Sequence, residues 1–173
     1  MIAAVGAAPI IPEIPGIESD KVVIANDMHN EDVTIGDKVL ILGGGLVGCE
    51  GAIYLAKSGK DVTIIEMLDE VALDGNFLHR AAVMVELGKD VNVVTGTQGK
   101  AISEEGMRCV DSDGKEKLYK ADTIVCAVGQ KSLTPIVDQL RNTAPEFYYI
   151  GDCVKPQRVK DAISSGYHVA MSL

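Results

Sequence analysis

The apolar positions fall first into short unbroken runs. Lys38-Val39-Leu40-Ile41-Leu42 stops at three glycines, the pattern of a central strand buried on both faces. From Leu46 to Ser58, Val47, Ala52, Ile53, Leu55 and Ala56 recur near helical spacing, and Gly59 stands where a left-handed cap belongs, so a helix follows the glycines. Asp61-Val62-Thr63-Ile64-Ile65-Glu66 is β-branched and begins after a short turn, which predicts a second buried strand. Phe77 to Leu87 returns to helical spacing and is predicted to end at Gly88, and Val91-Asn92-Val93-Val94 reads as a third strand. Strand and helix alternate, which is the βαβαβ order of a parallel sheet.

The pattern then shortens. Ala101-Ile102-Ser103, Met107-Arg108-Cys109-Val110 and Lys117-Leu118-Tyr119 are separated by Glu105-Gly106 and Asp113-Gly114, both hairpin signals, so an antiparallel meander is expected. Thr123 to Val128, closed by Gly129, restores the buried parallel-type strand. The ends offer less: a strand at Ile2 to Val5, a Pro-rich loop, a strand at Lys21 to Ala25, a helix near Pro135 to Leu140, a strand at Tyr148 to Ile150 and a helix from Val159 to Met171. The fold class is therefore α/β, a Rossmann-like three-layer parallel sheet with a meander excursion. Residues 37–129 form its nucleotide domain, and residues 1–36 and 130–173 are partial segments that pack together.

Composition narrows the functions. A length of 173 residues with 47% hydrophobic residues supports a sizeable core, and eighteen glycines with no Trp and two Phe suit a Val/Ile/Ala/Leu sheet rich in tight turns. A net charge of −9 leaves no basic field for nucleic acid or an anionic membrane. Cys49, Cys109, Cys126 and Cys153 form no C-x-x-C pair and have no His close in sequence, which argues against a zinc site, a dithiol centre or a disulfide framework. The apolar start is broken by Pro9, Pro12, Glu13 and Pro15, unlike a signal peptide or a spanning helix, so a cytoplasmic location is the default expectation.

Chemistry concentrates at Gly43-Gly44-Gly45-Leu46-Val47-Gly48, a G-x-G-x-x-G between strand and helix. Gly43 permits the tight turn, Gly45 lets a pyrophosphate approach the backbone, and Gly48 allows close helix packing; the free N–H groups of the helix start then face the phosphates. Glu66, 18 positions beyond Gly48, ends the second strand where an acid can accept from ribose hydroxyls. A 2′-phosphate would meet Glu66, Asp69 and Glu70 with no Arg nearer in sequence than Arg80, so NAD(H) is expected over NADP(H). Gly129 ends the neighbouring strand and joins the site. Glu50 reads as a first-turn anion favoured by the helix dipole. His29, His79 and His168 lack a nucleophile motif, and no catalytic acid, base, nucleophile or metal ligand is assigned.

Gly43 to Glu50 resembles the G-G-G-x-x-G-x-E signature of flavin-dependent pyridine-nucleotide oxidoreductases, whose NADH domain is inserted into a split FAD domain. Ala4-Val5-Gly6-Ala7-Ala8-Pro9, followed by Pro12, Ile14, Pro15 and Gly16, is similar to the A-T-G-A-x-P…P-x-I-P-G entry segment, with Val5 in place of the usual Thr, and Val128-Gly129 to the matching exit. Ile150-Gly151-Asp152-Cys153, with Pro156, Arg158, Asp161 to Ile163 and Gly166-Tyr167, resembles the second flavin motif of the NADH:flavin oxidoreductase branch of 2,4-dienoyl-CoA reductase, trimethylamine dehydrogenase and old yellow enzyme-like proteins. The resemblance implies that Asp152 contacts FAD, with Gly151 allowing close approach, at a partial FAD site. It implies FMN and a 4Fe-4S cluster in a missing N-terminal part, and the chain reads as a C-terminal fragment that works with the remaining domains of its parent.

On that reading NADH is positioned for hydride transfer to flavin, and the isolated fragment is inactive. Two rivals remain. A nucleotide-binding module without turnover would keep the same site. An S-adenosylmethionine methyltransferase shares the Gly-rich loop and the acid, but Gly48, the meander and the G-D motif speak against it.

Overall fold

The computed structural model describes residues 1–173. In chain order its strands and helices are β1 (Ile2–Ala3), β2 (Ala7–Pro9), β3 (Val22–Ile24), β4 (Lys38–Leu42), α1 (Leu46–Lys57), β5 (Asp61–Ile65), α2 (Phe77–Asp90), β6 (Val91–Val94), β7 (Thr97–Ser103), β8 (Gly106–Asp111), β9 (Glu116–Lys120), β10 (Thr123–Cys126), β11 (Gln130–Ser132), α3 (Thr134–Leu140), β12 (Tyr148–Tyr149) and α4 (Val159–Ser172). They fall into two compact units, Ile11–Gly129 and Met1–Ile10 with Gln130–Leu173.

The larger unit is an α/β domain. Its five strands lie in the order β3-β10-β4-β5-β6 and all pair in parallel. Alternation along each strand sorts the core into two. Val39, Ile41, Val62, Ile64 and Val125 point to the face covered by α1 and α2, where Cys49, Ala52, Leu55, Val83 and Leu87 meet them. Leu40, Leu42, Ile65 and Ile124 point the other way, onto Ile102, Met107, Cys109 and Ala121 of the meander β7-β8-β9 and the residue that follows it. The meander is thus the third layer, in place of the helices that usually cover the second face of a parallel sheet. β4 leads to β5 on one side while β10 returns on the other, so the strand order reverses beside β4, the place where open α/β sheets bind ligands.

Three expectations need correction. Residues 11–36 do not join residues 1–10: β3 pairs with β10, Val22 opposite Ile124, and forms the edge of the main sheet. Its burial comes from this long-range parallel pairing, which a short apolar run does not announce. α2 does not stop at Gly88 but runs to Asp90, because that glycine keeps helical geometry and faces open space. Finally, Glu50 is the fifth residue of α1, beyond the first turn, so the dipole gives it little.

In the smaller unit β1 pairs in parallel with β12, and β2 pairs antiparallel with β11. A one-turn 3-10 helix, Gly151–Cys153, precedes α4, where the N-cap Arg158 donates its N–H to Asp161 Oδ2 at 3.3 Å. No helix of the chain is long and apolar enough to cross a membrane.

Candidate functional site

The glycines of the turn after β4 are not equivalent. Gly43 has φ +108, and a Cβ there would stand 2.5 Å from the Ala127 carbonyl oxygen, so both conformation and space demand glycine. A Cβ on Gly44 would meet Val71 at 2.6 Å, and one on Gly48 would meet the Gly43 carbonyl oxygen at 2.0 Å. These three are explained by the chain itself. Gly45 is different. Its φ of −67 and ψ of 177 suit any residue, and nothing lies closer to its Cβ position than the Asp74 carboxylate at 3.8 Å. No intramolecular packing requires a glycine here, whereas a ligand pressed against the backbone would.

Gly45 is the N-cap of α1, and the helix ladder starts with Cys49 N–H donating to the Gly45 carbonyl at 2.9 Å. The amides of Gly45, Leu46, Val47 and Gly48 are therefore the orphan donors at a positive helix end. Leu46 N–H donates to Asp74 Oδ1 at 2.9 Å. Just before the helix, Gly44 N–H donates to Glu66 Oε2 at 2.6 Å, and Leu68 N–H donates to Glu66 Oε1 at 2.8 Å. Glu66 is only 8% exposed, so its carboxylate ties the end of β5 to the glycine turn. The sequence pointed to a ribose acceptor at this position and gave no sign of this tether. The segment after β5 is fixed again where Ala72 N–H donates to the Gly44 carbonyl at 2.7 Å.

Glu50 Oε1 pairs with His79 Nε2 at 3.0 Å, linking α1 to α2. Arg80 Nε donates to the Val71 carbonyl at 3.1 Å, and its guanidinium pairs with Glu70. Gly129, at φ +109, follows Val128, whose Cα would lie 3.2 Å from a Cβ on Gly43. Gly151 and Asp152 belong to the smaller unit; Gly151 has φ +69, and Asp152 Oδ1 accepts from Gln157 N–H at 3.3 Å. Burial pushes the Cys49 and Cys109 thiols up from 9.0 to about 11, which keeps both protonated and unreactive at neutral pH. No group of His, Cys, Asp and Glu is arranged to hold a metal ion.

A glycine turn between a parallel strand and a helix, with bare amides at the reversal of strand order, defines an α/β nucleotide-binding domain. The sequence profile of the pyridine nucleotide-disulphide oxidoreductase family matches residues 1–166, and the chain belongs to that family. It is 34% identical over 182 residues to the NADH oxidase of Thermoanaerobacter brockii, covering all of this chain and 28% of that protein. It is likewise 34% identical over 177 residues to the cinnamate reductase of Clostridium sporogenes, covering all of this chain and 26% of the relative. Among solved structures, a 2-naphthoyl-CoA reductase in complex with 2-naphthoyl-CoA superimposes with a TM-score of 0.92 at 28% identity, over 99% of this chain and 26% of the other. The chain thus spans little more than a quarter of the length of these relatives.

Proposed function

We propose that the chain holds NADH at the N-terminus of α1 and presents it to a flavin within a larger oxidoreductase of the 2,4-dienoyl-CoA reductase, trimethylamine dehydrogenase and old yellow enzyme-like branch. The observation that carries this reading is Gly45, whose missing Cβ keeps clear a space bordered only by the Asp74 carboxylate, at 3.8 Å. The open amides of Gly45, Val47 and Gly48 receive the pyrophosphate together with that of Leu46, across the turn fixed by Gly43 and Gly44. Glu66 holds the turn and keeps lone pairs for the ribose hydroxyls, since each carboxylate oxygen can accept twice. Asp69 and Glu70 disfavour a 2′-phosphate, and Arg80 is already engaged by Glu70 and Val71. When bound, NADH supplies a hydride and the flavin accepts it. No side chain needs to act as acid or base, so placement is the protein's contribution.

The same reading gives Gly151 and Asp152 to FAD and makes residues 1–10 and 130–173 segments of its split domain. FMN and an iron–sulfur cluster belong to the remaining domains of the parent, in the cytoplasm. Calorimetry tests the core of it. NADH should give saturable heat, with NADPH weaker by about tenfold or more, and no heat with NADH at millimolar concentration would overturn the assignment.

Replacing Glu66 separates its two duties. Glu66→Ala strands the Gly44 and Leu68 N–H groups and removes the ribose acceptor, so NADH binding should weaken by roughly ten- to a hundredfold. Glu66→Gln keeps an acceptor for the ribose but can satisfy only one of the two backbone donors. Its unfolding midpoint should fall by roughly 5–10 °C; an unchanged midpoint by thermal denaturation would mean that the tether contributes nothing.

A further inference from the structure

Two carboxylates of the chain already stand among the amides that face a phosphate in the dinucleotide reading, on which this inference rests. Glu66 is buried and holds Gly44. Asp74 is exposed, yet its Oδ1 accepts from Leu46 N–H at 2.9 Å, 28 residues away along the chain. Gly45, the residue at the N-cap, has no side chain to cap the helix, and the acceptor at the first helical amide comes from a distant loop. Both Asp74 carboxylate oxygens also lie 3.8 Å from the Cβ position of Gly45, so the space kept clear by that glycine is bordered by an anion.

We infer that Asp74 is an internal competitor of the dinucleotide's pyrophosphate, released from Leu46 whenever the coenzyme binds. A carboxylate and a phosphate oxygen cannot both take the same N–H at full strength, and two anions at one helix end repel each other. The neighbouring cation does not relieve this, because Arg80 is held by Glu70 and the Val71 carbonyl. The loop is built to yield at this point. Val71 and Ala72 are buried and anchored on Gly44, whereas Leu73, Asp74, Asn76, Phe77 and Leu78 are exposed, so moving Asp74 uncovers little apolar surface. The break between the buried and exposed parts falls at Ala72, whose φ of +54 makes it the one non-glycine residue of the chain in the left-handed region. Binding is then an exchange of one anion for another: the Leu46 N–H is never left without an acceptor, and the coenzyme is held less tightly than the amides alone would hold it.

The test measures NADH and inorganic pyrophosphate binding to the wild-type chain, Asp74→Ala and Asp74→Asn. Asp74→Ala should tighten both ligands by about five- to tenfold. Asp74→Asn, which keeps an acceptor oxygen without the charge, should tighten them less. The Leu46 amide resonance should differ between wild type and Asp74→Ala in the free proteins and coincide once NADH is bound. NADH affinity that Asp74→Ala leaves unchanged or weakens would overturn the competitor role alone. Absence of NADH binding to all three proteins would overturn the dinucleotide reading and the competitor with it.

Discussion

Gly45→Ala should abolish useful NADH binding while leaving the fold intact. At φ −67 and ψ 177 an alanine is unstrained, and its methyl group would find no atom closer than the Asp74 carboxylate at 3.8 Å. Such a substitution also restricts the unfolded chain, which favours the native state by about 0.4–1 kcal/mol. A ligand phosphate, by contrast, must approach the amides through the volume the methyl takes. Losing two charge-assisted hydrogen bonds at about 1.5–3 kcal/mol each implies a loss of at least about a hundredfold in affinity. The combination is diagnostic: an unfolding midpoint equal to or above that of the wild type, with calorimetric heat gone. Affinity within threefold of wild type would remove the main support for the site.

The fingerprint of three spaced glycines was readable from sequence, but it treats them as one motif, and the structure gives each a separate cause. Gly44 is not one of the three, yet its missing Cβ makes room for Val71 and for the carboxylate of Glu66. That requirement depends on residues more than twenty positions later, and no local pattern could reveal it. The same limit hid the place of β3, though not the strand itself. Val22 to Ile24 are only three residues, and their place at the sheet edge follows from pairing with β10, about a hundred residues along the chain. Gly88 misled in the opposite direction, because glycine ends helices when it turns left-handed, and here it stays helical on an open face. The parallel core was legible because a run such as Val39 to Leu42 is apolar on both faces, which few other arrangements explain. The loop from Glu66 to Asn76 was not, since it has no period, and its order comes from single hydrogen bonds to Gly44 and Leu46.

Gly43→Ala should fail for the opposite reason to Gly45→Ala. Here the backbone is at φ +108, a region that L side chains rarely adopt, and the new methyl group would stand 2.5 Å from the Ala127 carbonyl oxygen and 3.2 Å from the Val128 Cα. Neither neighbour is a flexible side chain. Ala127 N–H donates to the Leu42 carbonyl at 2.8 Å, and Gly43 N–H donates to the Ile65 carbonyl at 2.9 Å, so the turn is clamped to the strands on both sides. Relief requires flipping the turn and giving up those bonds, at a cost of about 3 kcal/mol or more. Denaturant unfolding should show the midpoint falling with the slope unchanged, and NADH binding should be lost because the amides are no longer aligned. The two substitutions add the same methyl group two residues apart, yet one should cost the ligand alone and the other the fold and the ligand with it. Equal stability of Gly43→Ala and wild type would mean that the turn can relax, and that the glycine at its first position answers to something other than the strands it joins.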